Sequence, residues 1–305
     1  MNPAFSVIFL TTLCAMGQGV FVMVLLGHLM GAHVRFLMLG TFTALFLCAL
    51  GLVASFFHLG RPERAWRAIA QFRTSWLSRE CIALPLFMAL AALYGLGVRN
   101  GWAGTALLGA LALAACIALW ICTGMIYMCI KFIQEWASSF TLANFVLISL
   151  ASGATLALSL ALFSDWGIVH RLAYCSLLLT IAAGGVRVAS LVRNARLKPK
   201  STLQTAIGIA HPKITQRSMG ATGGTFNTLE FFHGRTFAAL RSVKWLFIIL
   251  TFVVPALLVA AALTGAPSYV ALLAMFAQAA GLLFERWFFF AQARHPQNLY
   301  YPVVS

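Results

Sequence analysis

The sequence predicts an all-α, polytopic membrane protein. Hydrophobic residues make up 62% of the chain and charged residues 9%. Its mean hydropathy is +0.92. Runs of about 20 apolar residues recur along it, each long enough to cross a hydrocarbon core about 30 Å thick. Soluble domains are about a quarter charged. A membrane β-barrel needs alternating segments of about 10 residues, and this sequence lacks them.

Eight spans are expected, over Phe5–Met30, Phe36–Phe57, Glu80–Val98, Trp102–Ile130, Thr141–Phe163, Ile168–Ser190, Val243–Thr264 and Ser268–Ala291. The fourth is long enough to tilt or to extend past the bilayer. Arg99–Gly101 and Gly265–Pro267 carry the Gly and Pro of tight turns between antiparallel neighbours. Two connections are long, residues 59–79 and 191–242, and the second holds a glycine-rich patch at Gly220–Gly224. Residues 1–305 are read as a single integral membrane domain, its spans packed as two four-helix bundles. Gly27 and Gly31 fit the G-x-x-x-G helix-packing pattern. Gly17-Gln18-Gly19 lies inside a span and is not a nucleotide fingerprint.

The formal charge of +15 does not point to nucleic acid. The cations fall in loops, where they orient a membrane protein. Residues 59–79 carry five arginines, and a further eight or nine Lys and Arg lie between Leu191 and Lys244. The opposite face has only Arg35, Arg99 and Arg171. This bias predicts that both termini and both long loops are cytoplasmic. The N-terminus lacks the basic region of a cleavable signal peptide.

All seven cysteines lie in or beside apolar spans, and none forms C-x-x-C. They read as packing residues, with no iron–sulfur cluster or zinc site in this chain. Haem ligation in a bundle takes two facing histidines. None of the seven here falls in a span interior, so haem is not expected.

Charge gathers in S-F-F-H-L-G-R-P-E-R-A-W-R-A, residues 55–68, directly after the second span. Pro62 suits the first turn of a helix. Glu63 and Arg67 are spaced to pair. Trp66, Ile69 and Ala70 fall opposite Arg64 and Arg67, as in an amphipathic interfacial helix. Ser78 is the expected N-cap of the third span, with Glu80 in the first turn, where the helix dipole favours a carboxylate. His58 and Glu80 thus end consecutive antiparallel helices at one face. In one reading His58 caps a helix and Glu80 answers the dipole or an arginine. In the other they form a proton-handling site beside a quinone, whose two carbonyl oxygens receive two protons on reduction. Arg187 is expected to snorkel. Glu285 and Arg286 are adjacent and do not face each other on a helix, so each is expected to have another partner; they are either functional charges, or a snorkelling Arg286 and an interhelical pair for Glu285.

H-L-G-R-P-x-R-A (His58–Ala65) with S-x-L-S-x-E (Ser75–Glu80) resembles the anchor subunits of DMSO reductase-type molybdoenzymes, the DmsC family. Three further stretches are similar to the branch that anchors cytoplasmic sulfite dehydrogenase: N-P-A-F-S-V-I-F-L-T-T at the start, F-N-T-L-E-F-F-H-G (Phe226–Gly234) and E-R-W-F-F-F-A-Q-A-R-H-P (Glu285–Pro296). The resemblance implies a complex with a molybdopterin catalytic subunit and a four-cluster, ferredoxin-like iron–sulfur subunit. This chain would bind quinone, ubiquinone or menaquinone, within membrane lipid. His58 would bond a quinone carbonyl and Glu80 relay protons. Arg61, Arg64 and Arg67 would meet the partner or lipid phosphates, and Trp66, Trp76 and Ser78 would complete the site. The residues between Arg193 and Glu230 would dock the soluble partners. Arg79 departs from the family pattern and is placed to act on Glu80. Sulfite oxidation is the expected reaction. An anchor for DMSO or another S- or N-oxide reductase, a secondary transporter and an inert anchor are the alternatives.

Overall fold

Eight helical stretches long and apolar enough to cross a membrane run through the computed structural model, which describes residues 1–57, 59–218 and 226–301. His58, residues 219–225 (and so Gly220–Gly224) and residues 302–305 lie outside the described residues. The spans are α1 (Phe5–Leu29), α2 (Val34–Phe56), α3 (Trp76–Asn100), α4 (Thr105–Met128), α5 (Ser139–Ser164) and α6 (Val169–Ala195). After the short helices α7 (Leu203–Ile207) and α8 (Phe226–Glu230), the seventh span is α9 (Phe237–Ile248), a π-helical stretch (Ile249–Val253) and α10 (Val254–Leu263). The eighth is α11 (Tyr269–Ala291). All eight expected spans are present, and no strand occurs among the described residues. The protein is a multi-pass membrane protein.

The chain ends its helices where local chemistry dictates. Gly101 closes α3 at φ 66°, its N–H bonded to the Gly97 carbonyl. Asp165 closes α5, accepting from Gly167 N–H at 2.9 Å and from His33 N–H at 2.6 Å across the corner before α2. The π stretch has its cause in Pro255, which offers no N–H to the Thr251 carbonyl four residues back and crowds it sterically. Gln278 Nε2 of α11 donates to that carbonyl at 3.1 Å. Gly281 lets α11 approach, since a Cβ there would lie 2.6 Å from Thr251 N.

Packing centres on α1 and α5. A Cβ on Gly19 would sit 1.9 Å from the Ser149 carbonyl oxygen, and one on Gly153 2.0 Å from Gly19 C, so the two helices touch backbone to backbone. On the other flank of α1, Cys14-Ala-Met-Gly17 and Cys48-Ala-Leu-Gly51 interlock. The Cys14 sulfur fills the gap at Gly51 and the Cys48 sulfur the gap at Gly17. Membrane helices associate through such small residues. The cysteine packing agrees with the sequence, but the glycine pair is corrected: Gly31 lies beyond α1 at φ 75°. Helices α1–α4 pack in succession, and so do α5, α6 and the last two spans. Two separate four-helix bundles are not confirmed, because α1 packs extensively on α5 as well as on α2.

Alternation of the spans puts the start of α1 and the ends of α2, α4, α6 and α11 on one face. There the Met1 amine donates to the Ala293 carbonyl at 3.0 Å, and Asn2 N–H donates to the Glu230 carbonyl at 2.8 Å. Asn298 Nδ2 donates to the Phe231 carbonyl at 3.0 Å, and the Phe231 and His295 rings stack at 3.9 Å.

Candidate functional site

The site grows from the start of α3. Ser75 is the N-cap: its hydroxyl accepts from Ser78 N–H at 3.3 Å. The helix therefore begins four residues before the predicted boundary. Ser78 is corrected from cap to buried helix residue, and Glu80 stands beyond the first turn, out of reach of the dipole explanation. Glu80 shares a helix face with Leu84, Phe87 and Ala91, which are buried, so its side chain points into the bundle. Thr123 Oγ1 of α4 donates a hydrogen bond to Glu80 Oε1.

The two line a cavity of about 20 Å³ with Thr11, Cys14 and Gln18 of α1, Trp120 of α4 and Phe145 of α5. That volume holds a single water. Trp120 Nε1 donates to Ser149 Oγ at 3.0 Å, and Ser149 Oγ donates to the Ala15 carbonyl at 2.5 Å, fixing the wall across three helices. On the opposite side of α1, Ser6, Phe9 and Leu13 join Leu50, Val53, Ala54 and Phe57 of α2 around an apolar groove of about 400 Å³.

Residues 59–75 depart from the predicted α-helix. Pro62–Ile69 is a 3-10 helix with Pro62 in its first turn. Three residues per turn take Glu63 and Arg67 out of line. Glu63 meets Arg64 instead, at 3.9 Å and in solvent, where a pair contributes little. Arg61, Arg64 and Trp66 are exposed. Arg79 does not reach for Glu80: its Nε and Nη2 donate to the Phe72 and Arg73 carbonyls at 2.9 and 2.7 Å, and its guanidinium lies 4.2 Å from the Trp76 ring. Glu80 and Ser78 are thus carried inward, whereas the arginines and Trp66 stay on the surface. His58, at the head of the motif, lies outside the described residues.

A second constellation corrects the expectation that the neighbours Glu285 and Arg286 have separate partners, and adds Arg187 to them. Arg187 of α6 pairs with Glu285 of α11, Nε to Oε1, at 2.7 Å. Arg286 Nε donates to the other oxygen of the same carboxylate at 2.5 Å. Exposure is 1% for Arg187, 0% for Glu285 and 3% for Arg286, so neither arginine snorkels. Glu285 does have the interhelical partner expected of it. A signal was available: Ser176, Thr180, Ala183, Arg187 and Ser190 recur at helical spacing on the buried stripe of α6, as do Ala271, Ala274, Gln278, Gly281 and Glu285 on α11. Arg286 also lies 4.4 Å from the Phe145 ring, which walls the Glu80 cavity.

The chain is similar over its whole length to a sulfite dehydrogenase subunit of Allochromatium vinosum, at 46% identity across 326 aligned positions covering 100% of both proteins. Residues 1–292 match the family model described as DMSO reductase anchor subunit (DmsC). Matched by the family model over residues 1–292 and carrying eight spans, this chain belongs to the DmsC family of membrane anchor subunits.

Proposed function

We propose that this chain is the quinone-reactive anchor of a sulfite-oxidising molybdenum complex. It would sit in the bacterial inner membrane with both termini cytoplasmic, as the asymmetry of loop cations favours. The observation that supports this reading best is the whole-length likeness to a sulfite dehydrogenase subunit. The chain would hold a molybdopterin catalytic subunit and a four-cluster iron–sulfur subunit at the face of its long loops.

The residues suit a quinone in two parts. The α1–α2 groove has the apolar walls and volume for a ring or isoprenoid tail, and its lining includes Phe57, the residue that precedes His58 in the sequence. The Glu80 cavity is too small for a quinone ring and suits a proton-carrying water. Bound quinone would supply two-electron redox chemistry coupled to two protons. His58 would bond a carbonyl oxygen and exchange its proton. Glu80, oriented by Thr123, would pass protons through the cavity. Trp76, Ser78 and the stacked Arg79 would hold the start of α3. Arg61, Arg64 and Trp66 would face the iron–sulfur partner or lipid.

The test uses membranes carrying the assembled complex. His58→Ala and Glu80→Gln are expected to lower quinone-linked sulfite oxidation about a hundredfold, while sulfite oxidation by a soluble electron acceptor persists. Wild-type quinone-linked rates in both variants would reject the site. Quinol-dependent DMSO reduction without any sulfite oxidation would reject the reaction.

A further inference from the structure

We propose that Arg286 is the counter-charge of Glu80, a positioning residue that sets Glu80's exchange of protons from the far side of the Phe145 ring. The proposal deepens the role given to Glu80 above and rests on that reading for its consequence in turnover.

The chain has six carboxylates: Glu63, Glu80, Glu135, Asp165, Glu230 and Glu285. Only Glu80 and Glu285 lie within the spanning helices. Buried inside the same helices are two guanidiniums, those of Arg187 and Arg286. Both converge on Glu285, so this triad carries one positive charge in excess. An uncompensated charge withdrawn from water is costly, and such groups survive by pairing. Glu80 is the remaining carboxylate within the spans, and its ionised form brings the sum of the four groups to zero.

Geometry singles out Arg286 over Arg187 as the source. Its guanidinium lies 4.4 Å from the Phe145 ring, whereas that of Arg187 lies 5.3 Å from Phe247. Phe145 also lines the Glu80 cavity, and Tyr127 stacks parallel to it with 5.6 Å between centroids. These two rings are low-dielectric material through which a charge is felt more strongly than through water. Around Glu80 stand Thr123 of α4, which donates to it, and the Cys14, Cys81 and Cys122 thiols and Tyr127 hydroxyl, all within electrostatic range of its carboxylate; Arg79 reaches Cys122, and Arg286 reaches Tyr127. Cys48 of α2 lies one thiol further, against Cys14. Of these two cations, Arg79 has its donors engaged by the Phe72 and Arg73 carbonyls.

Removal of either arginine leaves Glu285 in a one-to-one ion pair and takes away the excess positive charge that ionised Glu80 would balance, so Glu80 alone bears the change. The measurement is an infrared titration of the purified complex in lipid nanodiscs. The Glu80 carboxyl band is identified as the one lost in Glu80→Gln, and this readout needs no quinone turnover. In Arg286→Gln the band's midpoint is expected about one pH unit higher than in wild type, a tenfold change. Arg187→Gln should give a smaller shift of the same sign, and Arg286→Lys should restore the wild-type midpoint. The pH profile of quinone-linked turnover should move with the band. A midpoint unchanged in both Gln variants overturns the proposal, and so does a shift that Lys fails to rescue. A band that shifts as expected while turnover ignores Glu80 supports the counter-charge and counts against the quinone reading alone.

Discussion

Gly153→Ala should damage the protein more than its size suggests. The added Cβ would stand 2.0 Å from Gly19 C, 2.3 Å from Gly19 Cα and 2.4 Å from Val20 N. All three are backbone atoms, so no side chain can turn aside. Restoring carbon contacts of about 3.5 Å requires α1 and α5 to part by more than about 1 Å, and a gap of that size forfeits up to half of each dispersion contact along the seam. Overpacking of this kind costs about 1–3 kcal/mol or more. Gly185→Ala is the matched control. Nothing lies within 4 Å of its Cβ position, so the helix gains about 0.5–1 kcal/mol. At about 2–4 °C per kcal/mol, the midpoints of the two variants should differ by roughly 3–16 °C. Thermal unfolding in detergent, followed with a maleimide that fluoresces on reaching the buried Cys14, Cys48, Cys116 and Cys122, reads the difference. A Gly153→Ala midpoint equal to that of Gly185→Ala would refute the backbone contact of α1 and α5.

Gln278→Leu removes the donor to the Thr251 carbonyl and should cost about 1 kcal/mol, read as a lower midpoint in the same assay. Repeated in a Pro255→Ala background, where the missing N–H is restored, the loss should shrink; an equal loss would mean that Gln278 does not substitute for the proline. The face holding both termini should loosen in acid. Burial, with the Met1 amine charge adding to it, lowers His295 below its ordinary value of 6.5, so the folded form prefers the neutral ring. The unfolded chain then binds more protons in that window, and the stabilisation present above pH 6.5 is lost as pH falls below it. His233 shifts in the same direction for the same causes. Hydrogen exchange across residues 229–236 should accelerate between pH 7.5 and 5.5, and His295→Phe, which keeps the stacked ring, should remove most of that change.

The eight spans were legible because length and apolarity are all a bilayer demands of a helix. Their ends were less so. The last span matches to within a residue, but α3 begins at Trp76 and the seventh span at Phe237, each several residues early. In both places a cap hydroxyl, Ser75 or Thr236, starts the helix outside the apolar run, and hydropathy does not register it. The Pro62 helix was placed correctly and given the wrong pitch, which cost the Glu63–Arg67 pair. Glu80 was chosen from its motif, while its direction follows from the Leu84–Phe87–Ala91 stripe. The triad escaped because each arginine lies within a few turns of a helix end, where a long side chain ordinarily reaches water. Only the stripe of α6 distinguishes Arg187 from a snorkelling residue.

The three stretches that carry the finer resemblance lie at opposite ends of the chain, yet they meet at one face. Asn2 bonds to the Leu229 and Glu230 carbonyls, Met1 to those of Ala291 and Ala293, and Phe231 stacks on His295. The same end of α11 carries Glu285 and Arg286, about 8–9 Å along the axis from Ala291 at 1.5 Å per residue. Phe289 lies between: its carbonyl accepts from Trp136 Nε1 at 3.1 Å, and its ring centroid is 5.4 Å from the Arg286 guanidinium carbon. A side chain at any of these positions is therefore constrained from two directions, by the surface knot and by the buried charges. That double constraint explains why the pattern at 285–296 is dense and aromatic where a lipid-facing helix end needs only apolar bulk. It also ties the Glu80 cavity, through Phe145 and Arg286, to the face on which the soluble subunits would sit.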